Sequence, residues 1–93
     1  MTTAKARKKR VVFELIAEPG ASVFVAGLFN DWNPRDKRMN DKNGDGVYKR
    51  GVMLAQGCYE YKFVVDGVWT VNPNCNDWTT NDQGSLNSVI TVH

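Results

Sequence analysis

Histidine is nearly missing from this chain. The single one is His93, so no imidazole lies within the body of the sequence to act as a general base or to activate a thiol. Cysteine is almost as scarce. Cys58 and Cys75 set no disulfide framework and match no metal spacing, which leads to the expectation of a reducing, cytoplasmic setting. No apolar run has the length of a signal peptide or of a membrane span, so no membrane partner is expected. A phosphate-cradling glycine loop and a nucleophile elbow are both missing. Acidic residues are present, but carboxylates mean nothing for catalysis without a defined geometry. The expectation is a protein with no catalytic residues and no cofactor.

One stretch has the look of a metal site. Asp41-Lys42-Asn43-Gly44-Asp45-Gly46 matches the first six positions of an EF-hand loop. The twelfth position falls on Val52 where a bidentate glutamate is needed, and the flanks read as strand. Asp, Asn and Gly are also what a tight turn requires, so a turn is expected and no metal ligand.

Charge is divided unevenly. Lys5, Arg7, Lys8, Lys9 and Arg10 carry five of the twelve positive charges, leaving seven basic against ten acidic residues from Val11 onward. The body is therefore mildly acidic behind a basic leader. Residues 1–10 are expected to be a solvated, disordered leader, and residues 11–93 a single domain of a size that supports one modest core.

Strand signals fill that domain. Residues 11–17 and 22–28 alternate or are rich in β-branched and aromatic side chains, and residues 47–54 and 86–92 read the same way. Polar, turn-prone residues separate them at 30–38, 41–46 and 72–83. Six or seven short strands with no helical period predict an all-β antiparallel sandwich of the immunoglobulin-like kind; a small closed barrel is the competing architecture.

The hairpin at residues 59–70 is the most specific local signal. Asp66-Gly67 supplies the two positive-φ positions of a type I′ turn between Val65 and Val68. That two-residue loop pairs Val65 with Val68, Val64 with Trp69 and Lys62 with Val71. Alternation then puts Tyr59, Tyr61, Phe63, Val65, Val68 and Thr70 on one face, and Glu60, Lys62, Val64, Trp69 and Val71 on the other. The first set, with three aromatics and no charge, is the better core. Trp69 is left as an outward ring beside Lys62.

An outward indole beside a long hydrogen-bond donor fits several ligands. Nucleic acid would stack on it, but such surfaces lie in a positive field and this body is acidic, so nucleic acid is not expected as a partner. A sugar offers an apolar C–H face to the ring and hydroxyls to polar neighbours. Trp32 and Trp78 also lie in polar segments, and Asn30, Asn33, Asn72, Asn74, Asn76, Asn81 and Asn87 crowd near the three tryptophans. This composition suits a neutral polyol better than an anion.

Four segments together resemble a known family. They are Gly27-Leu28-Phe29-Asn30-Asp31-Trp32, the run from Gly57 to Trp69, Asn72-Pro73, and Gly84-Ser85-Leu86-Asn87-Ser88-Val89. In that order and spacing they are similar to the glycogen- and starch-binding module of carbohydrate-binding module family 48. The resemblance covers nearly all of residues 11–93. It implies an immunoglobulin-like fold that binds α-1,4-linked glucans without chemistry: Trp32 and Trp69 as stacking platforms, and Lys62, Ser85 and Asn87 on sugar hydroxyls. Gln83 stands where the family's kinase member has a leucine that wedges into the curve of the glucan, and Trp78 has no assured counterpart. Some members serve mainly as spacers. The alternative implied is therefore an interaction module for a glucan-processing enzyme or kinase, with little sugar binding.

Overall fold

The computed structural model describes residues 8–75 and 77–93. Eight strands follow one another among them: β1 (Lys8–Ile16), β2 (Val23–Gly27), β3 (Lys37–Arg38), β4 (Val47–Ala55), β5 (Gly57–Val65), β6 (Val68–Thr70), β7 (Trp78–Thr80) and β8 (Leu86–Val92). A short 3₁₀ turn, Leu28–Asn30, follows β2. All pairings are antiparallel. β1 and β4 form a two-stranded sheet, and the second sheet runs β3-β2-β5-β8-β7, with β6 also paired to β5. The two pack as an immunoglobulin-like β-sandwich.

Alternation decides what lies between the layers. Phe13, Leu15, Tyr48, Val52 and Leu54 of the small sheet meet Val23, Val25, Tyr61, Phe63 and Val92 of the large one, with Met39 in the same cluster. Fully burying side chains of this size contributes about 1.5–3 kcal/mol each. Phe13 meets Tyr61 edge to face, with ring centroids 4.9 Å apart. Burial pushes the Tyr61 hydroxyl up to about 12, against the opposing hydrogen bond it accepts from Asn72 Nδ2 at 3.0 Å.

Several sequence expectations shift at element edges. β1 begins at Lys8, so Lys8, Lys9 and Arg10 are in a strand and do not belong to a disordered leader. Their backbones pair with Ala55, Leu54 and Met53, and their long side chains stay in solvent. Residues 1–7 of the expected leader lie outside the described residues. The polar segments 30–38 and 72–83, expected to be loops, contain β3 and β7, each too short to show alternation and each formed by pairing with a longer neighbour. The 41–46 segment is the expected turn. Both Asp41 carboxylate oxygens accept backbone amides, from Asp45 at 3.1 Å and Gly46 at 2.7 Å. Loss of surrounding water acts to raise the Asp41 pKa, and the amides of Gly46, Asp45 and Gly44 outweigh it, leaving the carboxyl below its ordinary 3.8.

The hairpin forms as expected at its turn. Asp66 and Gly67 both have positive φ, and Val65–Val68 and Val64–Trp69 are paired. The ladder ends at Phe63–Thr70, so the expected Lys62–Val71 pair does not form. Two exposure assignments also change. Val64, on the outward face, is only 5% exposed, because its ladder neighbours on that face are the rings of Phe24 and Trp69. Val68, on the inward face, is 64% exposed at the hairpin tip, on β6, which among the described residues pairs only with β5.

Candidate carbohydrate-binding site

The outer face of the large sheet carries an open groove of about 730 Å³. Each element that reaches it does so for a local reason. On β5 alternation turns Glu60 and Lys62 outward, opposite Tyr61 and Phe63 in the core. Across the ladder, Arg38, Phe24, Val64 and Trp69 form one row, and Ala26 and Lys62 belong to the next. The Arg38 guanidinium lies 5.9 Å from the Phe24 ring centroid. Ala26 and Val64 in these rows are both buried.

Trp32 arrives from the loop after β2, which is held in a strained conformation. Asp31 and Trp32 both have left-handed backbone, φ 55° and 60°. Such a conformation costs on the order of 1–3 kcal/mol for a residue that is not glycine. Asn30 braces it. Its Oδ1 accepts the Gly27 amide at 3.0 Å, its Nδ2 donates to the Val25 and Asn33 carbonyls, and the Trp32 amide donates to the Gly27 carbonyl at 2.9 Å. Gly27 is required by space: a Cβ there would lie 2.5 Å from the Glu60 carbonyl oxygen and 2.8 Å from Tyr61 Cβ. The loop thereby brings the Trp32 ring to 6.3 Å from that of Trp69, centroid to centroid, with the planes inclined at 54°.

The opposite rim comes from β7, β8 and the turn between them. Asn81 organises that turn, its Oδ1 accepting the amides of Gln83 and Ser85 at 3.0 Å each. Its Nδ2 donates to Ser85 Oγ at 2.8 Å, and the Lys62 ammonium reaches the same oxygen at 3.5 Å. With two donors already on its oxygen, the Ser85 hydroxyl hydrogen is free to donate to a ligand. Asn87, buried on β8, donates from Nδ2 to the Glu60 carboxylate at 2.9 Å.

All six residues expected from the sequence line this one groove: Trp32, Lys62, Trp69, Gln83, Ser85 and Asn87. Leu28, Glu60, Thr80, Asn81 and Asp82 complete it; none was expected as a site residue, and Asn81 was named only among the asparagines near the tryptophans. Glu60 was legible, since alternation had already turned it outward. Asn81 and Asp82 were not, because their turn takes its position from long-range pairing of β7 with β8. Most of the clustered asparagines brace backbone. Asn30 and Asn81 hold the two loops, Asn33 accepts the Arg35 amide, and Asn72 accepts the Asn74 amide and donates to Tyr61 Oη. Asn76 lies outside the described residues. Trp78 is 58% exposed but pairs with Ser88, which faces the core side of the sheet, so its ring is outside the groove.

Two inclined indoles over a shallow floor, ringed by hydroxyl, amide, ammonium and carboxylate groups, are the surface of a carbohydrate-binding module. The comparisons with known proteins name the same class. The model of the family described as the glycogen recognition site of AMP-activated protein kinase matches residues 10–93, and the chain belongs to that family. It is 33% identical over 87 residues to the amyloplastic phosphoglucan phosphatase DSP4 of Castanea sativa, covering 91% of this chain and 23% of that protein. Similarity extends to the chloroplastic protein FLOURY ENDOSPERM 6 of Oryza sativa subsp. japonica, at 31% over 89% of this chain and 15% of the relative. With the 5′-AMP-activated protein kinase subunit beta-1 of Sus scrofa it shares 32% identity over 78% of this chain and 56% of the relative. The chain thus spans about a quarter or less of the first two relatives. Its own domain is a binding module, of a non-catalytic kind.

Proposed function

We propose that the groove binds α-1,4-linked glucan, glycogen or starch or their oligosaccharides, with glucose rings on Trp32 and Trp69 and hydroxyls on Lys62, Gln83, Ser85 and Asn87, and that it carries out no reaction. The observation that carries this is the 54° inclination of two neighbouring indoles. Successive rings of an α-1,4 chain turn along a curve, so a tilted pair meets two of them face-on, whereas a flat β-1,4 chain needs coplanar platforms. Gln83 replaces an apolar wedge with a hydrogen-bonding group, which favours linear over cyclic glucan.

Stacking contributes on the order of 1–3 kcal/mol per ring in comparable open sites. Two platforms predict a dissociation constant of roughly micromolar to millimolar, strengthened on a polymer by repeated sites. Titration with maltoheptaose, followed by tryptophan fluorescence, tests the reading against cellohexaose. The expected result is saturable quenching by the α-linked ligand alone. No response up to about ten millimolar, with no retention on glycogen in a native gel, sinks it.

A glucan-processing enzyme or kinase as the module's neighbour belongs to the same proposal. Its support is that the relatives are larger proteins named as a phosphatase and as kinase subunits. A cytoplasmic setting is likewise proposed, supported by the two free thiols Cys58 and Cys75. Co-purification and fractionation test these two points.

A further inference from the structure

Glu60 lines the groove without a role in the binding scheme above, and its geometry is specific. A carboxylate only accepts hydrogen bonds, so the Asn87 group facing it at 2.9 Å must be the amide nitrogen. The Asn87 carboxamide is thereby fixed in one orientation. Its oxygen makes no hydrogen bond among the described residues, and no buried side-chain oxygen or nitrogen there lacks a partner. Asn87 is 5% exposed, and what remains open is on the groove. That oxygen therefore keeps its contact with the groove, as an acceptor.

The charges around it have one predominant sign. Among the described residues, two carboxylates, Glu60 and Asp82, line the groove against a single ammonium, that of Lys62, which already leans toward Ser85 Oγ. Unmodified glucose rings present hydroxyls, which donate to such acceptors. A ring carrying a phosphate monoester adds about −1.5 to −2 charge with acceptor oxygens only, and here it meets oxygen acceptors of like charge.

On these grounds, and resting on the glucan reading above, we infer that Glu60 is a specificity-determining residue. It aims the Asn87 oxygen at sugar hydroxyls and, with Asp82, makes the groove select unphosphorylated stretches of glucan over phosphate-bearing ones. The groove is open to water, so the discrimination is modest and salt-sensitive: about three- to tenfold in dissociation constant at low ionic strength, shrinking as the Debye length shortens.

Calorimetric titration of the chain with maltoheptaose, and with a maltodextrin of the same length bearing a phosphate monoester, tests this at about 25 and 300 mM salt. The wild-type protein is expected to prefer the neutral ligand, less so at high salt. Glu60→Gln removes the charge but leaves an oxygen for Asn87, and should cut the neutral-to-phosphorylated ratio at least twofold. Glu60→Leu, which also removes the acceptor, should weaken the neutral ligand about tenfold. That loss should largely disappear when Asn87→Ala is already in place, as a positioning role requires. Equal wild-type affinity for the two ligands, or a ratio unmoved by Glu60→Gln, overturns the inference while leaving the glucan reading intact. A wild-type chain that binds neither ligand overturns both.

Discussion

Trp69 shows what a single residue contributes here. It is 44% exposed, and its backbone is held by the Val64 pairing whatever its side chain does. Trp69→Ala is therefore expected to lower glucan affinity by tenfold or more. Some cover is lost from Val64, so the melting temperature should fall by no more than about 5 °C. Calorimetry and a thermal melt on the same sample separate the two effects, and a large melting loss would make Trp69 a structural residue. Trp32 differs in kind, because its left-handed backbone is itself costly. Trp32→Gly relieves that conformation while deleting the platform. A protein as stable as the wild type, or more so, that no longer binds glucan is the expected outcome, measured by denaturant unfolding and maltoheptaose titration. Strain held at the position that does the binding is what such a result would demonstrate.

Elements place these residues through side-chain braces in the loops that carry them. The loop after β2 depends on Asn30 and on the lack of a side chain at Gly27. Asn30→Ala removes one acceptor and one donor group from part-buried bonds and is expected to cost about 1–3 kcal/mol of stability together with most of the glucan affinity. Gly27→Ala forces a carbon against the Glu60 carbonyl and should cost about 1–3 kcal/mol by overpacking, lowering the denaturation midpoint. On the opposite rim Asn81 does for Ser85 what Asn30 does for Trp32. The groove is thus formed between two braced loops on the large sheet, an arrangement that holds the Trp32 and Trp69 rings in place without a ligand.

Two groups that do not line the groove give the whole molecule a pH dependence. Tyr61 titrates at about 12 in the fold, above the ordinary tyrosine value of 10.0. Between those values the unfolded chain has lost a proton that the folded one keeps. Stability is therefore fully present below pH 10 and is lost as pH rises toward 12. Tyr61→Phe should flatten that alkaline limb in urea denaturation measured across pH 9–12. Asp41 acts at the other end: its lowered pKa contributes stability above the ordinary 3.8, lost as pH falls further. Much of this architecture was legible in residues 11–93. Period-two patterning identified the strands, Asp66-Gly67 set a register with only one geometry, and that register alone put Glu60, Lys62 and Trp69 on a common face. Local sequence determined these because turn chemistry and alternation act over a few residues. Only the tertiary structure decided that Val64 is covered, that β3 and β7 exist, that the asparagines near the tryptophans mostly hold loops, and that Asn87 donates to Glu60. Each of those depends on residues distant in the chain, and it is the pairing of strands across the sheet that brings them together.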